Sequence, residues 1–315
     1  MKFTIGIPAY KSLFLKECID SILAQTYADF ELIIINDASP ENIDEIVHSY
    51  NDHRISYYKN EKNFGAVNVV DNWNKCLSNA NGDYFVLMGD DDKMKAEYLQ
   101  EFSDLIEKYP NCGVYHCRAV IIDENSNPIQ LTGPRPEFES VYDSILERMK
   151  GNRLFFISDY VYNTNRLKKD GGFYKLPLAW ASDDISAFIA AKEHGIAHTN
   201  VPVFLYRRNA QTISTTGNIY LKMDAILGEE KWFKEFLKTD AEHPIDQIIK
   251  ENIQAELKLF IQKKKIRTIY ADVSANIFMS FFKWLKVRKQ YQLSVSELVY
   301  ATLLRIKESK KLKYG

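Results

Sequence analysis

The chain has 315 residues, 46% apolar and 26% charged, with a net charge of -1 at neutral pH. That is the make-up of an ordinary globular protein, long enough for one large domain with an appendage or for two. No stretch approaches 18 uninterrupted apolar residues, which excludes a membrane-spanning helix, and the four cysteines form no C-x-x-C pair and have no His at zinc-ligand spacing. Met1-Lys2 leads straight into an apolar strand pattern with no signal-peptide core, so a reducing cytoplasm is the expected setting, with Cys18 and Cys76 as buried thiols.

Phe3 to Ile7 reads as a short strand, followed by a helix capped by Ser12, with Leu15, Ile19, Ile22 and Leu23 at helical spacing up to Gln25. Glu31 to Asn36 is a second strand. Asp37-Ala38-Ser39-Pro40 turns into a helix that carries Ile43, Ile46, Val47 and Tyr50 on one face. Ile55 to Tyr58 is a third strand, Ala66 to Ala80 a helix, and Tyr84 to Met88 a fourth strand. Strand and helix alternate throughout, which predicts a parallel, doubly wound sheet whose ligands bind at the carboxyl ends of its strands. Beyond it the pattern predicts a helix over Glu97–Tyr109, a strand over Gly113–Ile122 and a helix around Val141–Met149. A strand-like stretch from Leu154 to Asn163, a helix over Asp183–His194 and a strand over Val201–Tyr206 follow, and from Asn218 onward the pattern is helical.

The fourth strand runs into Asp90-Asp91-Asp92. Three adjacent carboxylates repel one another, so ordering them together costs free energy unless a cation arrives. A hard divalent ion carrying a phosphate suits them, since Mg²⁺ or Mn²⁺ takes one or two carboxylates plus phosphate oxygens. The other reading is a solvated acidic turn that caps the next helix. Pro8-Ala9-Tyr10, Asp37 and the triplet all fall at strand ends and are expected to converge on one edge of the sheet.

The turn after the first strand, Gly6-Ile7-Pro8-Ala9-Tyr10-Lys11, lacks the clustered glycines of a dinucleotide fold, a P-loop or a nucleotidyltransferase. Instead, Thr4 to Tyr10, Ser21 to Tyr27, Phe30 to Ser39, Asn63-Phe64-Gly65 and Ala80 to Tyr84, leading to the acidic triplet, resemble the start of a family 2 glycosyltransferase. The likeness is strong over roughly the first 100 residues, weaker to about Ser214, and absent beyond.

That resemblance implies an inverting GT-A enzyme: a mixed α/β sheet with helices on both faces, acting on a nucleoside-diphosphate sugar, a UDP-sugar favoured, with Mn²⁺ or Mg²⁺. It puts Pro8, Ala9 and Tyr10 at the base and ribose, Asp37 on the base imide, and Asn63 and Gly65 close to the nucleotide. The first Asp of the family's D-x-D motif falls on Gly89, which leaves Asp91 and Asp92 as metal ligands and Asp90 nearer the ribose. Where relatives often carry an Arg on the following helix, this chain has Asn72 or Asn74.

An inverting transfer needs a base to take the proton of the acceptor hydroxyl. Trp180-Ala181-Ser182-Asp183-Asp184 resembles the family's acidic pair, with Asp184 as base and Asp183 as its orienting neighbour; Trp180 is a candidate platform for an acceptor sugar or, equally, a core residue. Ser182 and two acids are also an ordinary helix start. Tyr206-Arg207-Arg208, followed by Ser214, resembles the segment that closes over the diphosphate, with Asn209 where relatives often have His.

Residues 258–315 hold 14 Lys and Arg against 3 Asp and Glu, a balance of +11, whereas the first 257 hold 27 against 39, or -12. Lysine clusters alternate there with Ile277-Phe278, Phe281-Phe282, Trp284-Leu285 and Leu303-Leu304, the pattern of basic amphipathic helices. Nucleic-acid binding needs a reader fold, and none is visible. A membrane-surface role fits the pattern, as does simple packing of the apolar face on the catalytic domain with solvated charges outside. The expected organisation is a catalytic domain over 1–217, with a nucleotide-binding half (1–110) and an acceptor half (111–217), and a basic helical region over 218–315. The expected activity is sugar transfer to a glycan or lipid-linked acceptor in surface polysaccharide synthesis, at the inner face of the plasma membrane if the tail docks there. The alternative is a non-catalytic sugar-nucleotide or glycan-binding subunit of the same fold.

Overall fold

Each of the four apolar runs in the N-terminal half forms a strand in the computed structural model, which describes residues 1–209, 218–273 and 277–314. They are β1 (Phe3–Ala9), β2 (Phe30–Asn36), β3 (Ile55–Lys59) and β4 (Tyr84–Leu87), parallel and ordered β3-β2-β1-β4. Between them run α1 (Leu15–Leu23), α2 (Ile43–His48) and α3 (Val69–Ser78). Successive side chains of a strand point to opposite faces. In β2, Leu32 and Ile34 pack in the core that holds Ile19, Ile22 and Ile43, whereas Ile33 and Ile35 pack in the core that holds Val70 and Trp73. A strand covered on both faces has to read as a continuous apolar run, and this one does. Ser12 departs from expectation: its hydroxyl donates to Glu41 (2.7 Å), and α1 begins at Leu15 without a side-chain cap.

The second half adds β5 (Lys93–Met94), α4 (Tyr98–Lys108), β6 (Val114–Ile122), β7 (Pro128–Leu131), β8 (Phe138–Glu139) and α5 (Val141–Met149). Then come β9 (Tyr160–Asn163), α6 (Thr164–Lys169), α7 (Ser182–Ala191) and β10 (Ile196–Arg207). The sheet continues from β4 as β9-β6-β10-β5, with β9 antiparallel to both neighbours and β10 parallel to β6. The result is the mixed sheet expected, with helices on both faces.

Two expectations shift. Only Tyr160–Asn163 of the stretch from Leu154 pairs in the sheet, because Ile157–Asp159 coils into a 3₁₀ turn that sends Ser158 toward the triplet. The last strand starts at Ile196, five residues before Val201, and crosses the polar Thr199-Asn200 through a register irregularity against β6.

Among the described residues the C-terminal region forms four helices, α8 (Ile219–Phe236), α9 (Pro244–Asp272), α10 (Ile277–Val287) and α11 (Val295–Tyr314). Met223, Ile226, Phe233, Ile253, Ile261, Trp284 and Leu298 are buried in the same core as residues of α3, α5 and α7. The Trp284 indole N–H donates to Asp272 (2.9 Å), as a buried indole requires. Among the described residues no helix is long and apolar enough to cross a membrane.

Candidate active site

The strand order puts the carboxyl ends of β1, β2 and β4 side by side, the point where an open α/β sheet reverses direction and binds its ligands. Asp37 follows β2 directly, and its amide donates to the Ala9 carbonyl (2.9 Å). Its carboxylate is 7% exposed and accepts from the Asn60 amide (2.8 Å) and the Phe64 backbone (3.1 and 3.2 Å). Asn63 donates to the Asp37 carbonyl (2.9 Å), and Gly65, at φ 71° and ψ 168°, takes a backbone conformation that only glycine adopts readily as the chain turns toward α3. Tyr10 is exposed and Pro8 half-buried beside them, so the expected nucleotide residues do meet. Ala9 differs: its methyl is buried in the core, so it faces the site through its backbone alone.

The positions where relatives carry an Arg are both engaged internally. Asn72 is buried and accepts from Asn60 (3.1 Å), whereas Asn74 bonds the Phe173 backbone (2.7 and 3.1 Å).

Opposite Asp37 lies the acidic triplet. Asp90 accepts the backbone N–H of Tyr10 and of Lys11 (2.8 Å each), which ties the end of β4 to the end of β1. The Asp91 carboxylate accepts from Asn209 (2.6 Å), and Asp92 accepts the Arg207 amide (2.8 Å) with Ser158 at 3.5 Å. A Cβ at Gly89 would sit 2.8 Å from Asp92 Oδ2, so the glycine that replaces the motif's first Asp makes room for the third acid. Burial, then the charge of Asp91, pushes Asp90 up to about 6; burial also raises Asp91, and it raises Asp92 well above the usual carboxylate range. Asp91 and Asp92 offer oxygens of the kind a hard divalent cation takes beside phosphate, while among the described residues no group of three or more Asp, Glu, His or Cys side chains is placed to hold a metal ion.

Arg207 does not belong to that binding surface. Its guanidinium is fully buried and spends its donors on the Asp91 carbonyl, the Asp123 and Glu124 carbonyls, the Ser126 hydroxyl and Glu17 (2.8 to 3.2 Å). Arg208 is exposed, with its backbone N–H on the Ile122 carbonyl (2.9 Å). Ser214 lies outside the described residues.

The acidic pair opens α7, and its two members differ. Asp184, the expected base, is 2% exposed, and its Oδ2 pairs with Arg148 Nε at 2.9 Å. That pairing leaves Asp184 Oδ1 without a hydrogen-bond partner among the described residues, and Asp183 is the more accessible member of the pair. Asp183 is half-buried, and burial, followed by the adjacent Asp184 charge, pushes it up to about 7. Burial, then the fields of Asp92, Asp91 and, more weakly, Asp183, raise the Tyr206 hydroxyl to about 12. Its ring stacks on Phe156 with centroids 4.0 Å apart. Trp180 offers no bare platform, since the Lys222 ammonium lies over its ring at 4.9 Å from the centroid.

Sequence reasoning passed over Ser158, Arg148, Phe156 and Asn209 as site residues. Asn209 adjoins a segment that the resemblance marked, but Ser158 and Arg148 act on partners 66 and 36 positions away, and no local pattern signals that.

Residues 4–163 match the family model of glycosyl transferase family 2. The chain belongs to that family. An uncharacterized glycosyltransferase of Rickettsia typhi is 30% identical over 133 residues, 42% of this chain and 40% of the relative. Glycosyltransferase GlyA of Streptococcus pneumoniae is 27% identical over 183 residues, 57% of this chain and 24% of GlyA. The chain therefore spans two fifths or less of these two relatives. Staphylococcus aureus TarS 1–349, solved with UDP-GlcNAc, superposes with a TM-score of 0.67 at 16% identity, covering 99% of this chain and 92% of that one. The mannosyltransferase PcManGT of Pyrobaculum calidifontis, solved with GDP-Man and Mn²⁺, gives 0.56 at 16% identity, covering 97% and 87%. The fold is the GT-A type.

Proposed function

We propose that this member of glycosyl transferase family 2 moves a sugar, with inversion, from a nucleoside-diphosphate sugar to a glycan or lipid-linked acceptor of a surface polysaccharide, a UDP-sugar being the favoured donor. One observation carries the reading: the end of β4, with its three acids, is bonded through Asp90 to the Tyr10 and Lys11 amides at the end of β1, whose Ala9 carbonyl accepts the Asp37 amide.

In this reading Asp37 accepts from the base, Tyr10, Pro8 and the loop through Asn63 and Gly65 enclose the nucleoside, and Asp90 positions the Tyr10–Lys11 backbone at the ribose. Asp91 and Asp92 hold Mn²⁺ or Mg²⁺, and Arg208 reaches the diphosphate. When bound, the cation neutralises the charge that builds on the leaving diphosphate. Asp183 rather than Asp184 takes the acceptor hydroxyl proton as the new C–O bond forms at the anomeric carbon. The bond from that carbon to the diphosphate oxygen breaks as the new one forms, and the nucleoside diphosphate leaves.

The basic helices support attachment to an anionic membrane at its cytoplasmic face. Their inner rows pack on the body through Trp284, Leu298 and Ala301, yet Met279, Phe282, Val299, Tyr300 and Leu303 remain 40% exposed or more. Residues 277–314 carry nine Lys and Arg against two Asp and Glu. Exposed apolar residues among lysines suit a bilayer interface. The protein should therefore pellet with phosphatidylserine-containing vesicles in low salt, and Phe282→Ser with Leu303→Ser should stay in the supernatant. Equal recovery without vesicles would point to self-association instead.

A thermal-shift panel of UDP-, GDP-, dTDP- and CMP-sugars with and without Mn²⁺ tests the central claim. A ligand at about a hundred times its Kd adds about 2.7 kcal/mol to the folded state, so a Mn²⁺-dependent rise with a UDP-sugar is expected. Asp91→Asn should remove the Mn²⁺-dependent part. No shift with any donor, or a shift indifferent to Asp91→Asn, would overturn the donor reading or the metal assignment respectively.

A further inference from the structure

Arg148 sits on α5, far in sequence from the acidic pair, and its guanidinium is held from several sides. Nε donates to Asp184 Oδ2 (2.9 Å), Nη1 donates to the Arg153 carbonyl (3.1 Å), and the Phe155 ring centroid lies 5.1 Å away. Behind it, Glu229 of α8 is 1% exposed and chelated by Lys264 of α9 at 2.6 and 2.7 Å. Ion pairs taken out of water are a weak source of stability, because desolvation offsets their attraction, and apolar side chains would fill the same space as well or better. Charges kept in such a place have their main effect on the electrostatics of neighbouring groups.

We propose that Arg148 is a positioning residue for the base, and that its ion pair with Asp184, extended by the Glu229–Lys264 pair of the C-terminal helices, sets the charge beside Asp183. The proposal rests on Asp183 being the base. It makes α8 and α9 part of the catalytic apparatus although neither touches substrate.

Among the described residues, several groups lie within electrostatic range of the acidic pair. Arg148 comes from α5, Asp159 from the 3₁₀ turn, the Tyr160 and Tyr162 hydroxyls from β9, and Tyr206 from β10. Glu229 acts from α8, with Lys264 of α9 as its partner. Arg148 is in direct contact with Asp184 (2.9 Å), and its charge reaches Asp183 as well. Without it the Asp184 charge beside Asp183 loses its counter-charge, and the Asp183 proton leaves only at higher pH. An opposite charge at this range is worth about 1–3 pH units.

The test is the pH profile of nucleoside diphosphate release by water, from the UDP-sugar that gives the largest thermal shift, at saturating Mn²⁺. Arg148→Gln should move the acid limb upward by about one unit or more, costing roughly fivefold or more at pH 7 and recovering near pH 9. Arg148→Lys keeps the charge and should leave the limb near its wild-type position. Glu229→Gln leaves Lys264 unbalanced and should move the limb downward. Opposite shifts from the two neutral variants are what a merely structural role does not produce. If Arg148→Gln lowers the rate equally at every pH, or if lysine does not restore the limb, the proposal falls. An Asp183→Asn control separates the two ideas: substantial activity in that control removes the base reading itself, whereas an inactive control with an unmoved Arg148→Gln limb removes only this one.

Discussion

Replacing Asp183 with Asn is expected to lower turnover by about 10²–10⁴-fold, the usual contribution of a positioned general base, while leaving the Mn²⁺-dependent thermal shift with donor intact. Two features argue for this carboxylate. It is half-buried, whereas Asp184 is 2% exposed and held by Arg148. It is also pushed up to about 7, by burial first and then by the Asp184 charge. A base works in its deprotonated form, so a raised pKa means that the rate climbs with pH through about 7 and levels off above. An ordinary aspartate, with its pKa near 3.9, would place that limb about three units lower. The wild-type profile and the variant therefore check the same assignment in two ways. Near-normal turnover in Asp183→Asn would return the role to Asp184 or to another group; loss of the donor shift would make Asp183 a donor-binding residue.

How much of this was legible beforehand depends on the range of the interaction. The four N-terminal strands were readable because a strand buried on both faces has to be apolar at every position, as Leu32 to Ile35 are. The convergence of Tyr10, Asp37 and Asp90 followed from strand ends in a parallel sheet, and the bonds from Asp90 to the Tyr10 and Lys11 amides are that convergence at atomic scale. What could not be read were choices made by distant partners. Asp183 and Asp184 are equivalent as helix-start acids, and only Arg148, brought in by α5, distinguishes them. Ser158 looks like a strand residue until the Gly89 amide, 69 positions away, draws its hydroxyl toward the triplet. The basic tail was ambiguous for a different reason: Trp284 faces inward and Phe282 outward on one helix, so both packing and an exposed apolar face are present together.

Arg207→Met is expected to destabilise the protein rather than weaken donor binding directly. The guanidinium is fully buried, sandwiched 4.1 Å from the Phe14 ring centroid, and it gathers α1, the loop at 123–126 and the triplet into one knot. Methionine fills the volume but leaves three carbonyls and the Ser126 hydroxyl without that donor, and it releases Glu17. Since Glu17 is itself half exposed and can turn to water, most of the loss comes from the stranded carbonyls. Stranding such groups costs about 3 kcal/mol in total, or a fall in Tm on the order of 5 °C for a chain of this size. Lysine keeps the charge but cannot fork between three carbonyls, so Arg207→Lys should recover only part of it. Arg208→Ala is the informative contrast: an exposed side chain whose removal should leave Tm nearly unchanged yet reduce the donor-induced shift. The pair of variants thus assigns the two adjacent arginines to different tasks, one to the architecture that presents Asp91 and Asp92, the other to the diphosphate. A stable Arg207→Met protein that no longer responds to donor would reverse that assignment.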